Sequence, residues 1–348
     1  MKENKTIEQV AEGDVSIEEK VSFLKEPAAY PYQGIKVEVK ETHMSWVFLV
    51  DDVVYKLKKP VLNRLIDFRT LEARLKNCRE EIRLNKRLAN DIYLGIVPLV
   101  INKAGKLQIE GKGKIIEWLV KMKRIPEENM LDYAIKHRTI KMPLLKNAAK
   151  LLTEFYKNSL SYHMEPDFYR KKLNDEIIST QAQLQQPLFY FPLSLIGQIS
   201  NTLIQFLGKH YLLFDERVSN GKIIEAHGDL RPEHICLLPQ PAIIDVLEFN
   251  FELRIMDVAE ELSFLDMECE MMENSQVGQL FIDIYRKLAK DNIPPSLITF
   301  YKIKKACLRA YLVARHIQEF RYKNDTGWLA KANAYLQLAG RYHEQLAT

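Results

Sequence analysis

Between His227 and Asn250 the chain reads HGDLRPEHICLLPQPAIIDVLEFN, a stretch that sets two carboxylates, an arginine and two histidines at the ends of short apolar runs. Asp229 follows His227-Gly228 in a loop after the apolar Ile223-Ile224, and Asp245 ends the strand-like run Ala242-Ile243-Ile244. Two carboxylates at neighbouring strand ends can divide labour. One accepts a hydrogen bond from an attacking hydroxyl; the other holds a hard cation through oxygen. Arg231 adds a fixed positive charge whose fork matches phosphate oxygens. An acid, a cation site and an arginine together suit phosphoryl transfer, where catalysis is mostly positioning and charge neutralisation. His-Gly-Asp alone also reads as a turn beside a buried structural histidine.

The elements that would position these groups change character along the chain. Ser16 and Glu19 form a capping-box pattern ahead of Val21 and Leu24, which predicts a short helix stopped by Pro27 and Pro31. From about Ile35 the pattern is strand-like, and Trp46–Val50 and Val53–Leu57 around Asp51-Asp52 predict a hairpin. Leu71 to Leu88 is a charged amphipathic helix; 96–100, 106–110 and 114–122 read as further strands. After about Lys123, helical periodicity takes over at 142–156, 193–207, 276–288, 297–320 and 328–343. The shift predicts two lobes with a ligand cleft between them.

Composition narrows the classes. The chain has 348 residues, 47% hydrophobic and 28% charged, enough for a large core. A net charge of +4 is small for this length and does not itself imply nucleic-acid or membrane binding. Cys78, Cys236, Cys269 and Cys307 lie far apart without a CxxC pair, which argues against a disulfide framework or thiolate zinc site and fits a reducing cytosol. The polar, acidic N-terminal stretch does not read as a signal peptide, and no apolar run approaches the length of a membrane span. A cytoplasmic protein is expected.

HGDLRPEH (His227–His234) resembles the catalytic loop of eukaryotic-like protein kinases and, in its His-Gly-Asp, that of aminoglycoside phosphotransferase-like kinases. IIDVLEF (Ile243–Phe249) resembles the metal-binding segment that follows that loop, and LRIMDVAEELSFL (Leu253–Leu265) the Asp-containing helix start beyond it. The resemblance runs from about Glu41 onward. It implies an α+β, two-lobed protein-kinase-like fold, with a small β-rich N-lobe carrying one main helix and a larger, mainly helical C-lobe. The corresponding divisions are an extension over 1–34, an N-lobe over 35–121 and a C-lobe over 122–348. By the same resemblance Asp229 is the catalytic base and Asp245 holds magnesium. Arg231 stands where protein kinases keep a lysine that reaches the transferred phosphate. His227 and Asp257 brace the loop.

The resemblance also asks the N-terminal half for a phosphate-pairing lysine on a strand and a glutamate on the next helix. Val53–Lys56 overlays the kinase pattern, with Val54 against adenine and Lys56 on the same strand face. Lys58 shares that face and competes; an edge strand whose lysines discourage aggregation is the plainer alternative. Glu81, with Leu84 and Leu88 after it, matches the helix partner, and Glu80 is the alternative. Ser45, in the loop Glu41–Trp46, would give its hydroxyl or backbone N–H to a phosphate. Met122 falls in the expected hinge, around Leu119 to Lys123, whose backbone would recognise adenine.

The sequence departs from the family twice. His234 replaces the usual Asn that ligates a second magnesium, so it either favours manganese or only supports the loop. Val246-Leu247 replaces the usual aromatic-Gly after the metal-binding Asp, and Glu248 then reads as an added ligand or as a partner for Arg254. The expected function is ATP- and Mg2+-dependent (Mn2+ as the variant) phosphorylation of a small hydroxylated acceptor, without nucleic-acid or membrane partners. A regulatory pseudokinase, a protein kinase and a metal-dependent hydrolase are the competing readings. The acceptor pocket is expected between residues 168–184 and 267–285, with the acidic stretch Glu260–Asn274 either lining it or lying as a solvated helix face.

Overall fold

The structure is a computed structural model that describes residues 15–32, 34–63, 66–318 and 327–347. The described chain divides into two compact units. One runs to Pro126 and includes Glu248–Asn250; the other comprises Glu127–Leu247 and the residues from Phe251 on.

In the first unit, α1 (Ile17–Lys25) starts at the expected capping box. Glu19 N donates to Ser16 Oγ, and Ser16 N donates to Glu19 Oε2. Six antiparallel strands follow: β1 (Val37–Glu41), β2 (Ser45–Val50), β3 (Val53–Lys58), β6 (Tyr93–Ile101), β7 (Leu107–Ile109) and β8 (Lys114–Lys123). A two-residue pair, β4 (Leu62–Asn63) and β5 (Ile66–Asp67), lies apart from them. The sheet order is β1-β2-β3-β8-β6-β7. Asp51 turns the β2–β3 hairpin with φ 45°, a left-handed conformation that Asp tolerates better than most residues. Phe48, Val50, Tyr55, Leu57, Leu99 and Leu119 on one face pack with Val21, Leu24 and Tyr30 from the N-terminal stretch. The segment before residue 35 therefore supplies part of this core.

Because strand side chains alternate, Val54, Lys56 and Lys58 point to the opposite face from Tyr55 and Leu57. The long helix α2 (Leu71–Ala89) serves that face. Thr70 caps it by accepting from Ala73 N, and its buried stripe is unusually polar: Arg74, Asn77, Cys78, Glu81, Leu84, Asn85 and Leu88.

The second unit is mainly helical: α3 (Leu131–Lys136), α4 (Met142–Asn158), α5 (Pro166–Leu184), α6 (Leu193–Lys209), α7 (Tyr211–Ser219), α8 (Val258–Met271), α9 (Ser275–Ala289), α10 (Pro295–Ala314) and α11 (Gly327–Ala347). The helix expected over 297–320 ends at Ala314 and continues as a 3-10 turn, Arg315–Gln318; residues 319 and 320 lie outside the described residues. Two short antiparallel pairs sit among the helices. β9 (Ile223–Glu225) pairs with β12 (Ile255–Asp257), and β10 (Ile235–Cys236) with β11 (Ala242–Ile243). No described helix is long and apolar enough to cross a membrane.

From Glu260 to Glu268 the acidic stretch is neither a solvated face nor a free acidic wall, whereas Glu273 beyond it is exposed. Glu260 pairs with Lys304 and Lys305, Asp266 with Lys302, and Glu268 with Arg309 and the Tyr335 hydroxyl. The cations of α10 take up these charges because α8 is buried along nearly its whole length. Lys304 also reaches Glu176 on α5 (2.6 Å), so α10 is tied to both segments between which the acceptor was expected.

Candidate functional site

In the first unit, one sheet face collects the residues singled out in the sequence. Ser45 lies opposite Lys58 across β2–β3, and Val54 lies opposite Met122 across β3–β8. Glu81 reaches this face from α2. Its Oε1 is 3.0 Å from Lys56 Nζ and its Oε2 is 2.5 Å from Lys58 Nζ. Lys58 also pairs with Glu248. Lys58 is fully buried, whereas the Lys56 side chain keeps 13% exposure. Desolvation works against the Lys58 charge, but Glu248 and then Glu81 outweigh it and hold its pKa above the ordinary lysine value. Lys58 is thus a buried strut between two carboxylates, and Lys56 is the more accessible cation. Glu80, the alternative helix partner, pairs with Arg83 on the helix surface.

Three expectations change here. Ser45 N donates to Thr42 Oγ1 (3.0 Å), so a phosphate cannot take that N–H; its buried Oγ has no partner among the described residues. The expected hinge over 119–123 is the C-terminal half of β8, paired with β3 on one side and β6 on the other, so its main-chain groups serve the sheet. Glu248 pairs with Lys58, a partner not expected from the sequence, and Arg254 pairs with Glu225 at 2.8 Å.

In the second unit the loop after β9 and the β10–β11 hairpin bring Asp229, Arg231, His234 and Asp245 together. Gly228 has φ 89°, and a Cβ there would come 3.1 Å from both Arg254 Cγ and Leu247 Cβ, so only glycine lets the loop pass. The register Ile235↔Ile243 places His234 and Asp245 near one end of the hairpin. Asp245 adopts φ 62°, again a left-handed conformation that Asp accommodates, and its side chain is 49% exposed.

The imidazoles are fixed by what they touch. His227 Nε2 faces the Ile244 carbonyl oxygen (2.9 Å) and must donate, so Nδ1 is the acceptor for Asp229 N (3.4 Å). Burial, then the neighbouring His234, pushes the His227 pKa down to about 3. His234 Nδ1 donates to the Asp229 carbonyl oxygen (2.8 Å), and Arg231 Nη2 donates to Nε2 (3.3 Å). An arginine can only donate, so Nε2 carries the lone pair. That nitrogen lies 3.7 Å from Asp245 Oδ2. Arg231 also lies 3.0 Å from Asp229 Oδ2 and pairs with Glu233.

Sequence reasoning missed Glu261. Its Oε1 accepts from Gly228 N (2.7 Å) and its Oε2 from His227 N (3.1 Å) and Tyr156 Oη (2.8 Å). It braces the loop in place of Asp257, which instead pairs with Arg217 (2.7 Å) and caps α8 through Ala259 N. Both acids open one helix, and their spacing alone does not say which turns toward the loop.

The donor set fits a divalent cation that shares its ligands with another molecule. His234 Nε2 and Asp245 Oδ2 are close, and the His234 Nδ1–H is anchored on a carbonyl, the usual outer support of a metal-bound histidine. Among the described residues no cluster of three or more His, Cys, Asp or Glu could hold a metal alone.

No family model matches the chain. It is 29% identical over 283 residues, 79% of its length, to uncharacterised proteins of Mycobacterium bovis and Mycobacterium tuberculosis. The chain spans about half, 54%, of the length of these curated relatives. Among solved structures it is similar to a choline/ethanolamine kinase family protein from Mesorhizobium loti, with TM-score 0.57, 14% identity and coverage of 95% of this chain and 96% of that one. The choline kinase of Streptococcus pneumoniae gives TM-score 0.54 and 16% identity, covering 95% and 100%. A thermostable mutant of an aminoglycoside phosphotransferase gives TM-score 0.50 and 9% identity, covering 91% and 98%. The chain has the protein-kinase-like α+β fold of these solved proteins.

Proposed function

We propose that this protein is a phosphotransferase that moves the γ-phosphoryl group of ATP to a hydroxyl of a small molecule. The observation that carries the reading is the cluster on one loop and hairpin in which Asp229, Arg231 and His234 are hydrogen-bonded and Asp245 Oδ2 lies 3.7 Å from His234 Nε2. Asp229 accepts the proton of the acceptor hydroxyl as its oxygen attacks phosphorus. Arg231 leaves Asp229 and His234 Nε2 to neutralise charge on the transferred group, which frees the Nε2 lone pair. Asp245 and His234 Nε2 would hold a divalent cation, which would supply charge neutralisation on the phosphates. From the first unit, Lys56 pairs with phosphate oxygens while Glu81 keeps its ammonium aimed; Lys58 keeps Glu81 in place. Val54 and Met122, side by side on that face, are the apolar contacts for the base. His227 and Glu261 hold the loop and do not react.

The same geometry speaks about the acceptor. A polycation needs free carboxylates, and those of α8 are already matched by α10. A neutral or anionic hydroxyl compound fits better. The test is ATP-dependent phosphorylation across hydroxylated metabolites, aminoglycosides and proteins, with Asp229→Asn as control. The variant is expected to keep nucleotide affinity and lose turnover. Undiminished activity in Asp229→Asn removes the base assignment, and labelled protein alone moves the acceptor class.

A further inference from the structure

The N-terminal helix α1 is joined to α2 by a buried ionic hub. Glu117, on β8, is fully buried and serves two cations. Lys20 of α1 reaches its Oε2 at 3.2 Å and donates a second bond to the Ile116 carbonyl oxygen at 3.1 Å. Arg74 of α2 grips the same carboxylate with two bonds, Nε to Oε1 at 2.9 Å and Nη2 to Oε2 at 2.7 Å. Arg74 also donates to the carbonyls of Phe68 and Arg69 just ahead of α2. Arg74 and Glu81 belong to one buried stripe of α2. Seven residues separate them, about two helical turns or roughly 10 Å of rise, so their side chains leave the helix in nearly the same direction. A rotation or slide of α2 at Arg74 is therefore carried rigidly to Glu81, whose two oxygens must meet Lys56 and Lys58 together.

We propose that α1 is a positioning element for the Lys56–Glu81–Lys58 cluster, acting through Lys20, Glu117 and Arg74. The link to nucleotide rests on the phosphate role assigned to that cluster above. Without Lys20, Glu117 keeps one cation instead of two, and its grip on Arg74 is no longer opposed from α1. The helix then settles to a different register against β8, and Glu81 no longer spans both lysines.

The experiment compares Lys20→Met, Lys20→Arg and Val50→Ala in the full chain. The methionine keeps the apolar stem of Lys20, and Val50→Ala weakens the same core from a strand without touching the hub. Two readouts are taken: affinity for a fluorescent non-hydrolysable ATP analogue, and hydrogen–deuterium exchange of the peptide covering residues 77–85. Lys20→Met is expected to weaken nucleotide binding by about tenfold, the size of one charge-assisted hydrogen bond, and to speed exchange in that peptide. Lys20→Arg restores both. Val50→Ala lowers the melting temperature yet leaves both unchanged. If Lys20→Met lowers the melting temperature as Val50→Ala does, with exchange over 77–85 as in the unaltered protein, Lys20 is only structural and the proposal falls. If the unaltered protein does not bind the analogue, the functional reading fails on its own, and exchange over 77–85 still decides this one.

Discussion

His234 gives its Nδ1–H to the main-chain oxygen of Asp229 over 2.8 Å, so one bond orients the loop and leaves the other ring nitrogen 3.7 Å from Asp245. This tautomer makes the candidate cation site a nitrogen–oxygen pair, where an asparagine would make it all oxygen. Nitrogen donors suit manganese better than magnesium. With Mn2+ and a non-hydrolysable ATP analogue bound, the electron spin-echo modulation is expected to show coupling to an imidazole nitrogen. His234→Asn should abolish that coupling and weaken Mn2+ by about tenfold. Coupling unchanged in His234→Asn would remove the ligand role.

The two lysines on Glu81 should separate by experiment. Lys58→Met takes the fully buried lysine from between Glu81 and Glu248 while Lys56 still pairs with Glu81, and is expected to cost about 3–5 kcal/mol in urea unfolding. Lys56→Met leaves Glu81 paired with Lys58 and should cost only about 1–2 kcal/mol, while nucleotide affinity drops at least about tenfold. The reverse pattern would make Lys58 the phosphate-pairing residue.

Acid stability should carry the signature of His227. Its folded pKa is about 3 against an ordinary 6.5, so the unfolded chain binds the extra proton between those values. Stability from this group is complete above the unfolded value and is lost as pH falls toward 3, by up to about 1.4 kcal/mol per pH unit. Unfolding free energies at several pH values between 4 and 7 are expected to fall less steeply in His227→Gln than in the unaltered protein. Parallel slopes would mean that the ring takes up its proton in place.

Glu261→Gln is nearly isosteric, yet it turns one acceptor into a donor facing the amide of His227 or Gly228. Two N–H groups face each other at a buried site, at a cost of about 1–3 kcal/mol. Turnover should fall while nucleotide affinity holds, since the loop bearing Asp229 loses its brace. Thermal unfolding together with steady-state kinetics checks both parts; equal stability and equal turnover would assign the brace elsewhere.

Much of this was legible in the residues. The β2–β3 hairpin, α2 and the helices α4, α6, α9 and α11 announce themselves by period, and the structure extends them by only a few residues at their ends. The HGD loop and Asp245 could be found because they flank one short hairpin, β10–β11, close together in the chain. What sequence could not supply was partner choice among like residues. Lys56 and Lys58 share a strand face, and only their burial separates strut from accessible cation. Asp257 and Glu261 open one helix, and only the direction of each side chain shows which braces the loop. The helix α5 was not read as one because its charged residues outnumber Tyr169, Leu173, Ile177 and Leu184, the apolar positions that bury it.

The pairing of α8 with its neighbours constrains how this protein can drift over generations. Glu260, Asp266, Glu268 and Glu270 each answer to a base or phenol on α10 or α11. Replacing any one takes a buried partner from its base or phenol, although Lys302 and Lys304 each keep a second carboxylate, so change at this seam is tolerated best in compensating couples. The seam should therefore hold its identities longer than the apolar layers around it, where one aliphatic residue can stand in for another.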